Sequence, residues 1–196
     1  MTDLRIYNSN DVGPDGYPSA WHHDHWHDDV RYPPIKDIVR AQAGYRCERC
    51  HHPYKAGDPR ISAAGQWSPC DEQCQHKGPF RWDDMVMPAG GLPHGEVPEP
   101  DRYAQWRILT VHHLNGIKWD CRWWNLAALC QRCHLTIQGR VIMERVWVWE
   151  HTEWFKPHAA GWYASDYLGE ELTREETMER LEELLALERV GEIGPC

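Results

Sequence analysis

Two cysteine pairs, Cys47/Cys50 in "CERC" and Cys130/Cys133 in "CQRC", have the spacing with which a single chain turn offers two thiolates to one metal ion. Together they can fill the four positions of one tetrahedral zinc. Such a site is closed: with sulfur at every position no place is left for water or substrate, so the zinc would be structural and any catalytic ion must sit elsewhere. Between the pairs, "LTVHHLNG" sets His112 and His113 side by side at the end of an apolar run. Successive side chains on a strand point to opposite faces, so these two are expected to hold different jobs rather than chelate one ion together. By themselves they would read as a strand end with one hydrogen-bonded and one solvated imidazole; the cysteine framework tips the reading toward chemistry.

The elements that must position these residues give an expected α+β fold. Residues 1–33 are polar, turn-rich and dense in histidine, and read as an irregular N-terminal arm with "GPDGYP" as a turn cluster. From Pro34, the spacing of Ile35, Ile38 and Val39 predicts a short helix with Pro34 at its start and Gly44 as its C-terminal cap, delivering the chain to "CERC". Residues 51–106 are rich in Pro, Gly and polar residues and read as an insertion. "RILTVHHL" then predicts a strand, "NGIKWDCRWW" a turn and return path, and "NLAALCQRCHLTIQGR" a second strand running into a helix stopped near Gly139. The C-terminal extension, 141–196, holds a buried strand at "RVWVWE" and an amphipathic helix. That helix opens on a Thr173/Glu176 capping box and carries Met178, Leu181, Leu185 and Leu184 toward one face.

Composition narrows the function classes. The 196 residues suffice for one domain with extensions. No stretch is long and apolar enough for a membrane span and the first residues lack a signal-peptide pattern, so a soluble cytoplasmic protein is expected, with its cysteines reduced or metal-bound rather than paired in disulfides. The formal net charge of −9 argues against a nucleic-acid partner only on the surface. Residues 165–196 carry ten acids against three arginines, whereas 101–145 carry seven basic residues against three acidic ones, so the region around the histidines is locally positive.

"CERC", "VHHLNG" and "NLAALCQRCH", in that order, resemble an HNH endonuclease of the ββα-metal type with a zinc-bound cysteine quartet, as in phage or mobile-element proteins. The resemblance rests on Cys47, Cys50, His112, His113, Asn125, Cys130, Cys133 and His134, and it covers mainly 45–50 and 107–140. It implies that 34–140 is a nuclease domain acting on DNA. It further implies that His113 is the general base that takes a proton from the attacking water, that His112 and His134 bind the catalytic metal, and that Asn125 orients the base or its loop. Histidine at 112, where many members have an acid, leaves the catalytic ion open among Mg2+, Mn2+, Ni2+ and Zn2+. Gln138 stands where some relatives offer a further ligand.

Other residues carry weaker expectations. Asn125 also suits an N-cap, and His134 a neighbour of the zinc knuckle. Lys118, Arg122, Arg132 and Arg140 surround the motif and are candidate phosphate contacts, each equally able to be a solvated surface charge. Of the twelve tryptophans most should be core, with Trp119, Trp123 and Trp124 near enough to the motif to stack on a base. "WHHDHWHDD" gathers His22, His23, His25 and His27 among acids, but on an arm without a rigid element to fix ligand geometry it is read as polar surface. Cys70, Cys74 and His76, joined by Cys121 or His94, have the spacing for a second zinc. The alternatives to a DNA endonuclease are a zinc-stabilised nucleic-acid-binding module without cleavage and a nuclease acting on RNA.

Overall fold

A computed structural model describes residues 12–27, 29–56, 65–68, 71–74, 108–138 and 152–188. It is mixed helix and strand and divides into two compact units. One comprises the described parts of Met1–Val39, Val111–Ala127 and Ile137–Cys196, and the other those of Arg40–Thr110 and Ala128–Thr136.

The four cysteines belong to the second unit, and the chain passes from one unit to the other within Ile35–Gln42, Ile108–His113, Leu126–Cys130 and Gln131–Gln138. Helix α1, Ile35–Gln42, starts after Pro34, whose carbonyl accepts from the Asp37 and Ile38 amides, and it ends where Gly44 and Tyr45 take positive φ. Gly44 meets no atom within 4 Å of an added Cβ, so its role is conformational: it supplies the left-handed turn that stops the helix. Strands β3 (Tyr54–Lys55), β4 (Gly65–Trp67), β5 (Ile108–His113) and β6 (Leu126–Cys130) form one sheet in the order β3-β4-β5-β6. β4 is antiparallel to both β3 and β5, with Tyr54 opposite Trp67 and Gly65 opposite Leu109. Residues expected to lie in an insertion thus contribute two strands, because the edge of β5 has backbone groups to satisfy and β4 satisfies them. The buried Arg40 guanidinium donates to the Leu109 carbonyl at 2.8 Å, and the Thr110 hydroxyl to Leu129 O at 2.8 Å. β6 runs directly into helix α2, Gln131–Gln138, so strand, loop, strand and helix follow one another from Ile108 to Gln138.

The first unit packs helices on a tryptophan pair. Strands β1 (His25–His27) and β2 (Val30–Tyr32) form an antiparallel hairpin in which His25 stacks on Tyr32. Helix α3, Lys156–Tyr163, continues into a wider turn over Ala164–Leu168 that Gly169 closes at φ 68°. Gly161 lets α3 approach the tryptophans: a Cβ there would lie 2.7 Å from both Trp123 and Trp124 side-chain atoms. The Trp123 indole donates to Leu172 O at 2.7 Å, and His158 Nδ1 donates to Trp124 O at 2.9 Å. Both rings are core, and of the three tryptophans expected to be near the motif Trp119 alone is exposed, at 50%.

The C-terminal helix departs from expectation. The Thr173/Glu176 capping box forms, but the helix breaks at Arg180 into α4, Arg174–Glu179, and α5, Leu181–Leu185. Leu184 is buried as expected, but Thr177 is buried in place of Met178, which is 48% exposed. Leu184 packs with Ala160 and Ala164 beneath Leu172, Leu181, Leu185 and Leu187. Arg180 is held at the break by Glu170 and Glu183. "RVWVWE" lies outside the described residues. No described helix is long and apolar enough to cross a membrane.

Candidate metal centre and histidine site

The four cysteines of the two pairs come together. Cys47, Cys50, Cys130 and Cys133 are all buried, with their sulfurs within 4.8 Å of one another and Cys50 Sγ 3.7 Å from Cys130 Sγ. Metal–sulfur bonds of about 2.3 Å at tetrahedral angles require sulfur–sulfur edges of about 3.8 Å. The Cys50–Cys130 edge, at 3.7 Å, fits that figure. The knuckle that presents the first pair is closed by Cys47 N donating to His52 O at 3.0 Å and His51 N to Cys47 O at 2.7 Å, with His51 at φ 60°. Glu48 fastens the first pair to the second: its amide donates to Ala128 O at 2.9 Å, and its carboxylate accepts from Ala128 N at 2.8 Å. Burial, and then the neighbouring thiols of Cys133, Cys47 and Cys50, push the Cys130 thiol well above its ordinary value. Four buried sulfurs packed together resist ionisation, and a dication removes that resistance. The quartet can therefore hold a metal ion. Among the described residues it is the set of three or more clustered metal-ligand side chains.

In the first unit β5 ends on the two histidines. His112 is half-buried, while His113 is 6% exposed, and burial is the main cause that lowers its pKa to about 4. The Asp120 charge opposes that shift and Lys118 adds to it. The imidazole is neutral at pH 7, the protonation state a general base needs. Its Nε2 lies 3.8 Å from Cys121 Sγ, whose thiol burial and then Asp120 push up to about 12. The Tyr17 and Trp21 rings lie against the imidazole at centroid distances of 5.6 and 4.7 Å.

The loop of residues 114–125 that follows His113 is fastened through Asn125, which is fully buried. Asn125 Nδ2 donates to Asn115 Oδ1 at 2.7 Å and to Asp120 O at 2.6 Å, and its Oδ1 accepts from Asn115 N at 2.7 Å. Its backbone carbonyl accepts from Leu114 N at 2.7 Å, the residue after His113. Asn115 Nδ2 in turn donates to the buried Asp120 carboxylate at 2.6 Å, which also takes two bonds from Arg122 at 2.8 and 2.7 Å. This predicts the effect of Asn125→Asp, which sets a carboxylate against two acceptors. Folding stability should fall by about 3 kcal/mol, since a buried carboxylate left with one backbone donor and set against two acceptors costs more than the roughly 1–3 kcal/mol of an unsatisfied neutral group. Urea unfolding of both proteins measures it, and a change below about 1 kcal/mol would show that the amide is not the fastener.

The remaining candidates fall as follows. Arg122 is engaged within its own unit by Asp120, by Ser165 Oγ at 2.9 Å and by the face of Trp124 at 4.4 Å. Lys118 Nζ donates to Asp15 O at 2.9 Å. Arg132 is half-buried on α2, and so is His134, whose pKa burial lowers. The Gln138 side chain and Arg140, Cys70, His76 and His94 lie outside the described residues. Of the suggested second zinc set, Cys121 sits beside His113 and Cys74 Sγ lies 3.6 Å from His52 Nδ1. In the histidine-rich arm, His22 pairs with Asp15 at 2.7 Å, Asp24 with Arg31, and His25 is buried. The sequence reading missed Tyr17, Trp21, Cys121 and the Asn115/Asp120 pair around the histidine site. Only the "NG" turn signal and Asn115 inside it hinted at any of them. Compared with known protein families, curated proteins and solved structures, the chain finds no match.

Proposed function

We propose that the chain is a metal-dependent endonuclease of the HNH type that hydrolyses DNA phosphodiester bonds, with a structural zinc in the cysteine quartet. The observation that carries this reading is a neutral histidine at a strand end, followed at once by a loop fastened through Asn125. The sequence resemblance asks for those two roles of those two residues.

In this mechanism His113 accepts a proton from a water as the water oxygen attacks phosphorus. The bond to the 3′-oxygen breaks with its electron pair going to that oxygen, which takes a proton from solvent water, leaving a 5′-phosphate and a 3′-hydroxyl. Asn125 and Asp120 hold the loop so that the imidazole keeps its orientation through the reaction. The resemblance assigns a divalent ion to His112 and His134, half-buried imidazoles whose nitrogen donors favour the softer Ni2+ and Zn2+ over Mg2+ and Mn2+. When bound, the ion would polarise the phosphoryl oxygen and stabilise charge on the leaving oxygen.

One observation favours a second reading, a zinc-stabilised nucleic-acid-binding module without cleavage: His113 lies under two aromatic rings. Incubating the full chain with duplex DNA and, separately, RNA across Mg2+, Mn2+, Ni2+ and Zn2+ discriminates between them. Cleavage of DNA that needs an added ion supports the first. Binding without cleavage under every ion sinks it, and cleavage of RNA alone moves the substrate class.

A further inference from the structure

A general base has to reach a water beside the scissile phosphate, and His113 cannot do so as it stands. What covers it is a small braced loop, residues 12–22. Val12 bridges Pro18, Gly13 N donates to Tyr17 O at 2.7 Å, Gly16 N to Gly13 O at 3.0 Å, and Trp21 N to Pro18 O at 2.8 Å. His22 Nε2 lies 2.7 Å from Asp15 Oδ2, on the outside of the same loop. Tyr17 and Trp21 stack on each other, centroids 5.1 Å apart and planes 19° apart, and the pair lies on the His113 ring. Beneath them Cys121 is fully buried. The loop is bound from the other side by Lys118, whose ammonium donates to Asp15 O at 2.9 Å and stands 4.9 Å from the Tyr17 ring centroid.

We propose that the 12–22 loop is a cap over His113, latched by Lys118 and released when that ammonium exchanges the Asp15 carbonyl for a phosphate oxygen of the nucleic-acid backbone. The proposal rests on the nuclease reading for its purpose, though not for its geometry. Lys118 is exposed, so a backbone phosphate can approach it from solvent. An ammonium bonds an anionic phosphate oxygen more strongly than a neutral peptide oxygen, and its attraction to the Tyr17 ring is lost when it moves. Because the loop's internal bonds are its own, it can lift as a body without unravelling. The outcome is a base that stays dry until nucleic acid arrives and meets water only then.

The test uses the full zinc-loaded chain with no added catalytic metal, comparing the parent with Lys118→Gln and Trp21→Ala. Iodoacetamide labelling of Cys121, located by mass spectrometry, reads whether the site beneath the cap is open. Both variants should label at least about ten-fold faster than the parent. Lys118→Gln changes an exposed side chain and keeps the fold even if Trp21→Ala does not, so equal labelling of Lys118→Gln and parent overturns the latch. Chymotrypsin cleavage after Trp21 of the parent reads release: a short DNA duplex should quicken it several-fold, and an unchanged or slower rate overturns release by phosphate. If both results hold while no variant cuts DNA under any ion, the cap and its release stand and the nuclease reading alone falls.

Discussion

Cys47→Ser is expected to leave the chain without bound zinc and to unfold the unit that holds the cysteine quartet. Three thiolates and a hydroxyl are a poor set for zinc, and the remaining buried thiols are left to repel one another's ionisation. The loss is large because zinc binding in such knuckles is folding free energy, on the order of 10 kcal/mol or more, which rivals the whole stability of about 5–15 kcal/mol of an ordinary domain. Elemental analysis should give one zinc per parent chain and none in the variant, with loss of a cooperative thermal transition by circular dichroism. A zinc-free variant that melts like the parent would refute a structural role. Two zinc ions in the parent would instead point to the Cys74/His52 neighbourhood as a second centre. Acid should reproduce the effect, since protons compete with the metal for thiolates.

On the nuclease reading proposed above, His113→Ala and His112→Ala should fail in different ways. Loss of a general base typically costs about 10² to 10⁴ in rate, so the first variant should lose cleavage and keep its catalytic ion. The second should lose the ion itself. His112→Asp separates the roles further, because a carboxylate is a harder ligand than imidazole and should move activity toward Mg2+ and away from Ni2+ or Zn2+. Metal titrations of nicking activity distinguish these outcomes, and equal loss of metal binding in both alanine variants would overturn the division of labour. His113 also sets a pH signature in the free protein. Its folded pKa of about 4 lies below the unfolded value of about 6.5, so the unfolded chain takes up a proton that the folded chain refuses. Stability should therefore fall by about 3 kcal/mol as pH drops from 6.5 to 4, at 1.36 kcal/mol per pKa unit. In His113→Leu that part of the slope should vanish.

The parts of this molecule legible in its sequence are those governed by local rules. The two-residue spacing of each cysteine pair, the Pro34 start and Gly44 stop of α1, and the Thr173/Glu176 cap are decided within a few positions, and they stand where the spacing put them. The ordering of strand, loop, strand and helix around the histidines was equally readable, because alternation and turn chemistry are short-range. What escaped depends on tertiary partners. Nothing in "GPDGYPSAW" says that Tyr17 and Trp21 will lie on His113, since aromatic rings fit many surfaces and the latch joins residues 103 positions apart. Arg122 reads as a free cation until Asp120, two residues away, takes it bidentately. Met178, expected on the apolar face, is exposed and Thr177 is buried in its stead, beside a break at Arg180 where Glu170 and Glu183 converge on one guanidinium.

The distance along the chain between the cysteine pairs has a consequence during synthesis. Cys50 and Cys130 are 80 residues apart, so a growing chain offers only half of a tetrahedral site until β6 and the start of α2 have left the ribosome. At about 5–20 residues per second that interval is on the order of 4–16 seconds. During it the first pair can hold an ion only loosely, with two thiolates and water. The two bonds of Glu48 to Ala128, one through its amide and one through its carboxylate, can form only at the same moment. Metal capture and closure of the knuckle are therefore one event, timed by the arrival of the second pair, and a chain truncated before Cys130 should emerge with its first knuckle untied.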